Sequence, residues 1–120
     1  MNELELFYSK IGSDAKPVIE RFGSVETAKK FVNKFVADGS FALLKESLRE
    51  SKPDDAFRAA HTLKGICLNL GFERLFEEAS AVTELLRGGD IEKAKKIFPR
   101  LKREYLKTAA LIGRIQPCSR

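Results

Sequence analysis

Three residues in the middle of the chain combine side chains capable of chemistry with a spacing that brings them together: His61, Lys64 and Gly65. Residues three and four apart are neighbours on a helix, so helical periodicity puts all three on one side of the segment, opposite its small and apolar residues. A neutral imidazole nitrogen is a competent nucleophile near pH 7, and a phosphoryl group on it would be a dianion that a lysine can compensate. The trio therefore indicates that His61 accepts a phosphoryl group.

Gly65 is the unexpected member of the trio. A glycine inside a helix costs roughly 1 kcal/mol relative to alanine, and an exposed position gains no packing in return. The cost is understandable if another molecule must come very close to the helix, one turn from His61. The sequence contains no G-x-x-x-x-G-K-[ST] motif and no kinase-type glycine-rich loop, so we expect the phosphoryl donor to be another protein.

The elements that would position this trio are all predicted to be helices. Apolar residues recur at helical spacing between glycines and prolines, and the helix that carries His61 should begin at Pro53 and end at Gly71. We predict helices over 3–11, 14–22, 24–39, 40–52, 53–70, 72–87 and 90–112. Their connections are short, so successive helices should pack antiparallel. The predicted fold is all-α, an antiparallel up-and-down four-helix bundle with short extra N-terminal helices.

Several local features of these helices can also be predicted. We expect side-chain caps from Ser24, Ser40 and Asp90 at three helix starts, and a kink or restart at Pro99. In the third helix we expect a wide buried stripe, made of Val25, Ala28, Phe31, Val32, Phe35 and Val36.

Length and composition restrict the remaining possibilities. A chain of 120 residues with 43% hydrophobic residues allows one domain with a modest core, and is too short for a kinase. We divide it into short helices over 1–23, the bundle over 24–115 and a tail over 116–120, whose Cys118 is assigned no function. Two cysteines and one histidine cannot build a typical zinc site. With no signal segment and no membrane-spanning run, we expect a cytoplasmic protein. We also expect it to be a monomer.

The positive charge of the chain is confined to its end. Residues 91–120 hold nine basic and two acidic side chains, whereas residues 1–90 carry a net charge of −2. We interpret the basic end as the solvated face of an amphipathic helix.

The segment Ala60-His-Thr-Leu-Lys-Gly65, with Leu70-Gly71 following, resembles the H-x-x-K-G motif of histidine-containing phosphotransfer (HPt) domains. The resemblance extends to length, helix order and the Asp54-Asp55 helix start. It implies a domain that receives a phosphoryl group from a sensor (hybrid) histidine kinase or from the aspartate of a response-regulator receiver domain. The group then passes to another receiver in a two-component phosphorelay. A carrier of this kind has no kinase activity and no ATP site of its own.

The resemblance also implies roles for individual residues. His61 would be the phosphoacceptor through Nε2, Lys64 would neutralise the phosphoryl oxygens, and Gly65 would permit close docking. Family members often place a polar side chain, frequently Gln, on the next helix facing the histidine, and the matching residue here is the shorter Thr83. The partner-docking surface would comprise Arg58, Thr62 and Leu68. Any magnesium would belong to the receiver, so we expect no metal and no cofactor bound by this chain.

Two hypotheses from other functional classes compete with the phosphotransfer hypothesis. A small basic helical module could bind nucleic acid or another protein through residues 91–120, in which case binding would survive the loss of His61 and fall steeply with salt. An enzyme could use His61 as a general base, but the sequence places no carboxylate, serine or cysteine partner beside it. We therefore expect neither nucleic acid nor membrane among the partners.

Overall fold

The computed structural model describes residues 1–115, which form seven α-helices and one short 3-10 helix. In chain order these are α1 (Glu3–Lys10), α2 (Ala15–Phe22), α3 (Val25–Lys34), the 3-10 turn (Phe35–Ala37), α4 (Ser40–Arg49), α5 (Pro53–Leu70), α6 (Glu73–Arg87) and α7 (Ile91–Ile112). The predicted tail and its Cys118 lie outside the described residues.

Helices α4 to α7 form an antiparallel four-helix bundle. The sequence predicted this architecture but began the bundle at residue 24, and so counted α3 with the bundle. The links between them are two or three residues long, so each helix must turn back along its predecessor. Helix α5 packs on α4 and on α6, while α7 packs on α6 and closes onto α4. Helices α5 and α7 therefore occupy opposite corners of the bundle, and α1 to α3 are the extra N-terminal helices.

The N-terminal helices hold the end of α5 in place. Phe72, just after α5, packs edge-on against Phe7 of α1 and against Phe35 of the 3-10 turn, with ring centroids 5.6 and 5.1 Å apart. The Tyr8 hydroxyl donates a hydrogen bond to the Leu70 carbonyl. Carbonyls of a last helical turn have no partner within the helix, so this bond from α1 satisfies one of them.

Two predictions about local structure are wrong. Ser40 does not cap α4; instead, the Asp38 side chain accepts a hydrogen bond from the Ser40 backbone N–H at the first position of the helix. The buried stripe of α3 is narrower than predicted, because Phe31 and Val36 are exposed. Phe31 stacks instead on Phe22 at the surface, with ring centroids 4.8 Å apart. Helix α3 packs mainly on α2 and on the 3-10 turn, so a stripe this wide is only partly covered.

Pro99 does not restart α7, which runs as one helix from Ile91 to Ile112. The proline is exposed, so the Lys95 carbonyl that loses its helical partner can turn toward water. The caps predicted from Ser24 and Asp90 are confirmed, since each side chain accepts a bond from a backbone N–H three residues later.

Candidate functional site

Helix α5 begins and ends at residues that are typical of helix termini. Pro53 occupies the first turn, where its missing N–H costs nothing, and Asp54 and Asp55 lie at the positive end of the helix dipole. Gly71 ends the helix in the left-handed conformation at φ 70°, and a Cβ there would meet the Val18 side chain at 2.7 Å. Backbone conformation and close contact thus both require glycine, and they fix the length of the helix.

His61 lies at the middle of α5 on the side that faces solvent. Its side chain makes no hydrogen bond or ion pair with another of residues 1–115. The Phe57 ring, one turn earlier, lies beside the imidazole, with 5.8 Å between the ring centroids. Both ring nitrogens are therefore free to react or to bind.

Lys64 is half-buried and leans toward α6. Its Nζ lies 4.0 Å from a carboxylate oxygen of Glu84 and 6.0 Å from the centre of the Phe76 ring. The ammonium thus sits on the seam between α5 and α6, one turn from His61, and its ion pair with Glu84 is loose. An anion carried on His61 would compete with Glu84 for this cation.

Gly65 leaves open space on the exposed side of α5. A Cβ placed on it would have no heavy atom within 4 Å beyond the helix's own nearby backbone. Its φ is negative, so neither crowding nor backbone conformation within residues 1–115 requires glycine here. The absent side chain therefore matters only to something that approaches from outside.

The three residues predicted for partner docking all lie on this exposed side. Leu68 is 60% exposed, and Arg58 and Thr62 are also exposed. Arg58 donates to Asp55 at 2.6 Å, not to Asp54, the pairing that its spacing also allowed. Together they extend the face of His61 along α5 in both directions.

Thr83 is the one predicted site residue that lies away from this surface. Its side chain is fully buried, and its hydroxyl donates to the Ala79 carbonyl at 2.7 Å. A buried hydroxyl bonded within its own helix does not face a group on the exposed imidazole. The count along the sequence gave a position on α6 but not the direction of its side chain.

Sequence reasoning missed the residues of α6 that surround the site. Glu84 pairs with Lys64 and also accepts from Arg87 at 3.2 Å. The Arg87 guanidinium lies 5.1 Å from the centre of the Phe57 ring, which in turn contacts His61. The two-residue link between α5 and α6 fixes their register, and applying that register would have placed Glu84 and Arg87 near the site.

Cys67 is the other potential nucleophile of α5, and it lies on the inner side. It is fully buried, and burial, helped by the negative charge of Asp38, raises the pKa of its thiol to about 12. A thiol held protonated in the core is a packing residue. Among residues 1–115, no group of three or more histidine, cysteine or acidic side chains could hold a metal ion.

None of the helices in residues 1–115 combines the length and apolar character that a bilayer span needs.

Comparison with known proteins agrees with this geometry. A family model described as the Hpt domain matches residues 37–110, which is more than half of the chain and includes all of α4, α5 and α6. No curated protein and no solved structure matches the sequence. The matched region holds the helical bundle and the exposed His61, and the family's role is phosphotransfer in two-component signalling, as a carrier and not as a kinase. The chain belongs to the Hpt domain family.

Proposed function

We propose that this protein carries a phosphoryl group on Nε2 of His61, receiving it from a receiver-domain aspartate or a sensor histidine kinase and passing it to another receiver. The observation that supports this most directly is the environment of His61. The imidazole is exposed at the middle of a rigid helix, has no hydrogen bond to residues 1–115, and has a lysine on one side and an open glycine on the other.

The transfer step follows from the chemistry of an acyl phosphate. The Nε2 lone pair attacks the phosphorus of the aspartyl phosphate, an N–P bond forms, and the P–O bond to the aspartate carboxylate breaks. The carboxylate leaves with the bonding electron pair. Nδ1 keeps its proton during the attack and, because the ring is exposed, can release it to solvent afterwards. The onward transfer is the reverse of this step on another receiver.

Lys64 and Gly65 have different roles in this proposal. The Lys64 ammonium moves from Glu84 toward the phosphoryl oxygens and offsets their charge, a short shift for a flexible side chain already on the seam. Gly65 lets the active-site edge of the partner approach α5. The exposed Leu68 and Arg58 contact that partner on either side, and its magnesium ion, if required, is held by the partner's own carboxylates.

The test is to incubate the protein with a phosphorylated receiver domain or an autophosphorylated sensor kinase and to measure its intact mass. We expect one acid-labile phosphoryl group on the wild-type protein and none on His61→Gln. Because His61 is exposed and unpaired, the variant should keep the wild-type circular dichroism spectrum and thermal midpoint. A phosphoryl group retained by a folded His61→Gln variant would refute the assignment.

A further inference from the structure

The outer side of α7 and the turn that follows it carry a row of basic side chains: Lys93, Lys96, Arg100, Arg103, Lys107 and, in the turn, Arg114. The five on the helix are three, four, three and four residues apart, so they fall within a sector of about 80° on a helix of 3.6 residues per turn. All six side chains are exposed. At 1.5 Å per residue, the five on the helix span about 21 Å.

Most of this charge has no counterion within the described residues. Arg100 pairs with Glu78 of α6 at 3.3 Å, but the other five make no ion pair with any of residues 1–115. Like charges three and four residues apart repel each other on a helix. The row therefore leaves positive charge on the outer side of α7 that an anion from outside the described chain can pair with.

The row lies on the far side of the bundle from His61. Helices α5 and α7 occupy opposite corners, and His61 and the row each point away from the core. A ligand on α7 therefore leaves the phosphoacceptor face open. The basic surface also continues around α7 to α4, where Lys45, Arg49 and Lys95 border a shallow groove between the two helices.

The shape and composition of the row favour a flat anionic surface over a nucleic acid. A straight row meets a plane along its whole length, whereas the phosphates of a duplex curve away from it. The row includes no aromatic side chain for stacking on bases and no amide for reading their edges. The apolar side of α7 is packed in the core through Ala94, Leu101 and Ile112, so contact would be electrostatic, without insertion.

Contrary to the expectation from the sequence that no membrane is among the partners, we propose that this basic row, defined by the six residues above, docks the protein on membranes that carry anionic lipids and leaves His61 facing away from the lipid. Each lysine or arginine near such a surface adds to the attraction, and clusters of four to eight are typical of this mode. The proposal does not depend on whether His61 is the phosphoacceptor.

The experiment is co-sedimentation of the full chain with vesicles of phosphatidylcholine containing about 30% phosphatidylserine, compared with pure phosphatidylcholine vesicles. We expect binding only to the anionic vesicles at about 0.05 M salt, and loss of binding at about 0.5 M. The variant Lys96→Glu/Arg103→Glu/Lys107→Glu should lower the partition coefficient at least about tenfold, since it reverses three charges of the row.

The matched control reverses three exposed lysines elsewhere, in Lys16→Glu/Lys30→Glu/Lys34→Glu, which changes the net charge equally. If both variants lose binding alike, only net charge matters and the proposal of a specific row is wrong. Should a charge-reversed chain not fold, the same positions are changed to glutamine. The proposal is also overturned if the wild-type protein does not bind anionic vesicles. It is likewise overturned if the protein binds a short DNA duplex but not vesicles at the same salt concentration.

Discussion

His61 and Cys67 stand six residues apart on α5 in opposite environments. The imidazole meets solvent, while burial holds the pKa of the thiol at about 12, far above its usual range. Two side chains that both have nucleophilic atoms are thus separated in function by the direction in which the helix presents them. Only the outward one can meet a partner protein.

At this scale, Glu84 is the residue whose removal should strengthen the site. Glu84→Gln frees Lys64 and removes a negative charge near the phosphoryl group, so the equilibrium yield of phosphohistidine should rise about two- to fivefold, the effect of one exposed charge pair. Lys64→Ala should lower the yield by a similar factor or more. Both are measured by intact mass after mixing with a phosphorylated receiver.

The control is Glu77→Gln, at an exposed acidic residue of the same helix that makes no ion pair with any of residues 1–115. An equal rise in Glu77→Gln would mean that the general charge of α6, not the contact with Lys64, sets the yield.

The sequence was sufficient to place His61, Lys64 and Gly65 on one side of α5, because helical spacing determines which residues share a side. The sequence was not sufficient to identify which residue of α6 faces the site. The count along the chain pointed to Thr83, but the contact with Lys64 comes from its neighbour Glu84. One residue turns a helical side chain by about 100°, so an error of that size exchanges a surface position for a buried one.

Among the helices, α5 has well-defined ends but contains a destabilising glycine in its interior. Pro53 and Gly71 delimit the helix, yet Gly65, a poor helix former, lies inside it at a position where a side chain would meet open space. The helix therefore gives up stability at the place where the proposed partner would come close.

Gly65→Gln separates these two effects. We expect the free energy of unfolding to stay the same or rise by up to about 1 kcal/mol, because glutamine is the better helix former. Phosphotransfer should slow at least about tenfold, since a misplaced approach of the reacting groups is costly. Urea unfolding and single-turnover transfer from a phosphorylated receiver measure the two effects.

Ala110→Gln adds the same side chain at an exposed position of α7 and should leave the transfer rate unchanged. If Gly65→Gln transfers as fast as this control, close approach at Gly65 is not needed.

Helix boundaries were predictable here because glycine, proline and capping residues mark them. The capping residue of α4 was not, and the sequence left open whether α7 would kink or restart at Pro99. Asp38 and Ser40 can both cap, and the one two residues earlier reaches the N–H that needs a partner. A proline on the exposed side of a helix leaves its freed carbonyl to water, which the sequence alone does not reveal.

For the whole molecule, the burial of ionisable side chains makes the free energy of unfolding fall at alkaline pH. The folded protein keeps the Cys67 proton to about pH 12, while the unfolded chain loses it near the ordinary value of 9.0. Burial raises the pKa of Tyr8 as well, which acts in the same direction. The folded state therefore binds more protons than the unfolded state over this range, and stability must fall as the pH rises.

We expect the free energy of unfolding to fall by up to about 1.4 kcal/mol per pH unit above about pH 9 on account of Cys67. Cys67→Ala should be less stable at neutral pH because of the cavity, yet show a shallower decline. Urea unfolding between about pH 8 and 10.5 measures both slopes. Parallel declines in the two proteins would show that the thiol does not contribute.

The segment that the family shares begins at residue 37, but α5 is anchored from outside it. Phe7 packs on the ring that follows α5, and Tyr8 and Arg21 donate to carbonyls of its last turn. Cutting the protein to the shared segment would uncover an aromatic ring and leave those carbonyls without their partners. The unit of this chain that keeps α5 anchored is therefore longer than the segment that matches the family model, and its first helix must travel with its histidine.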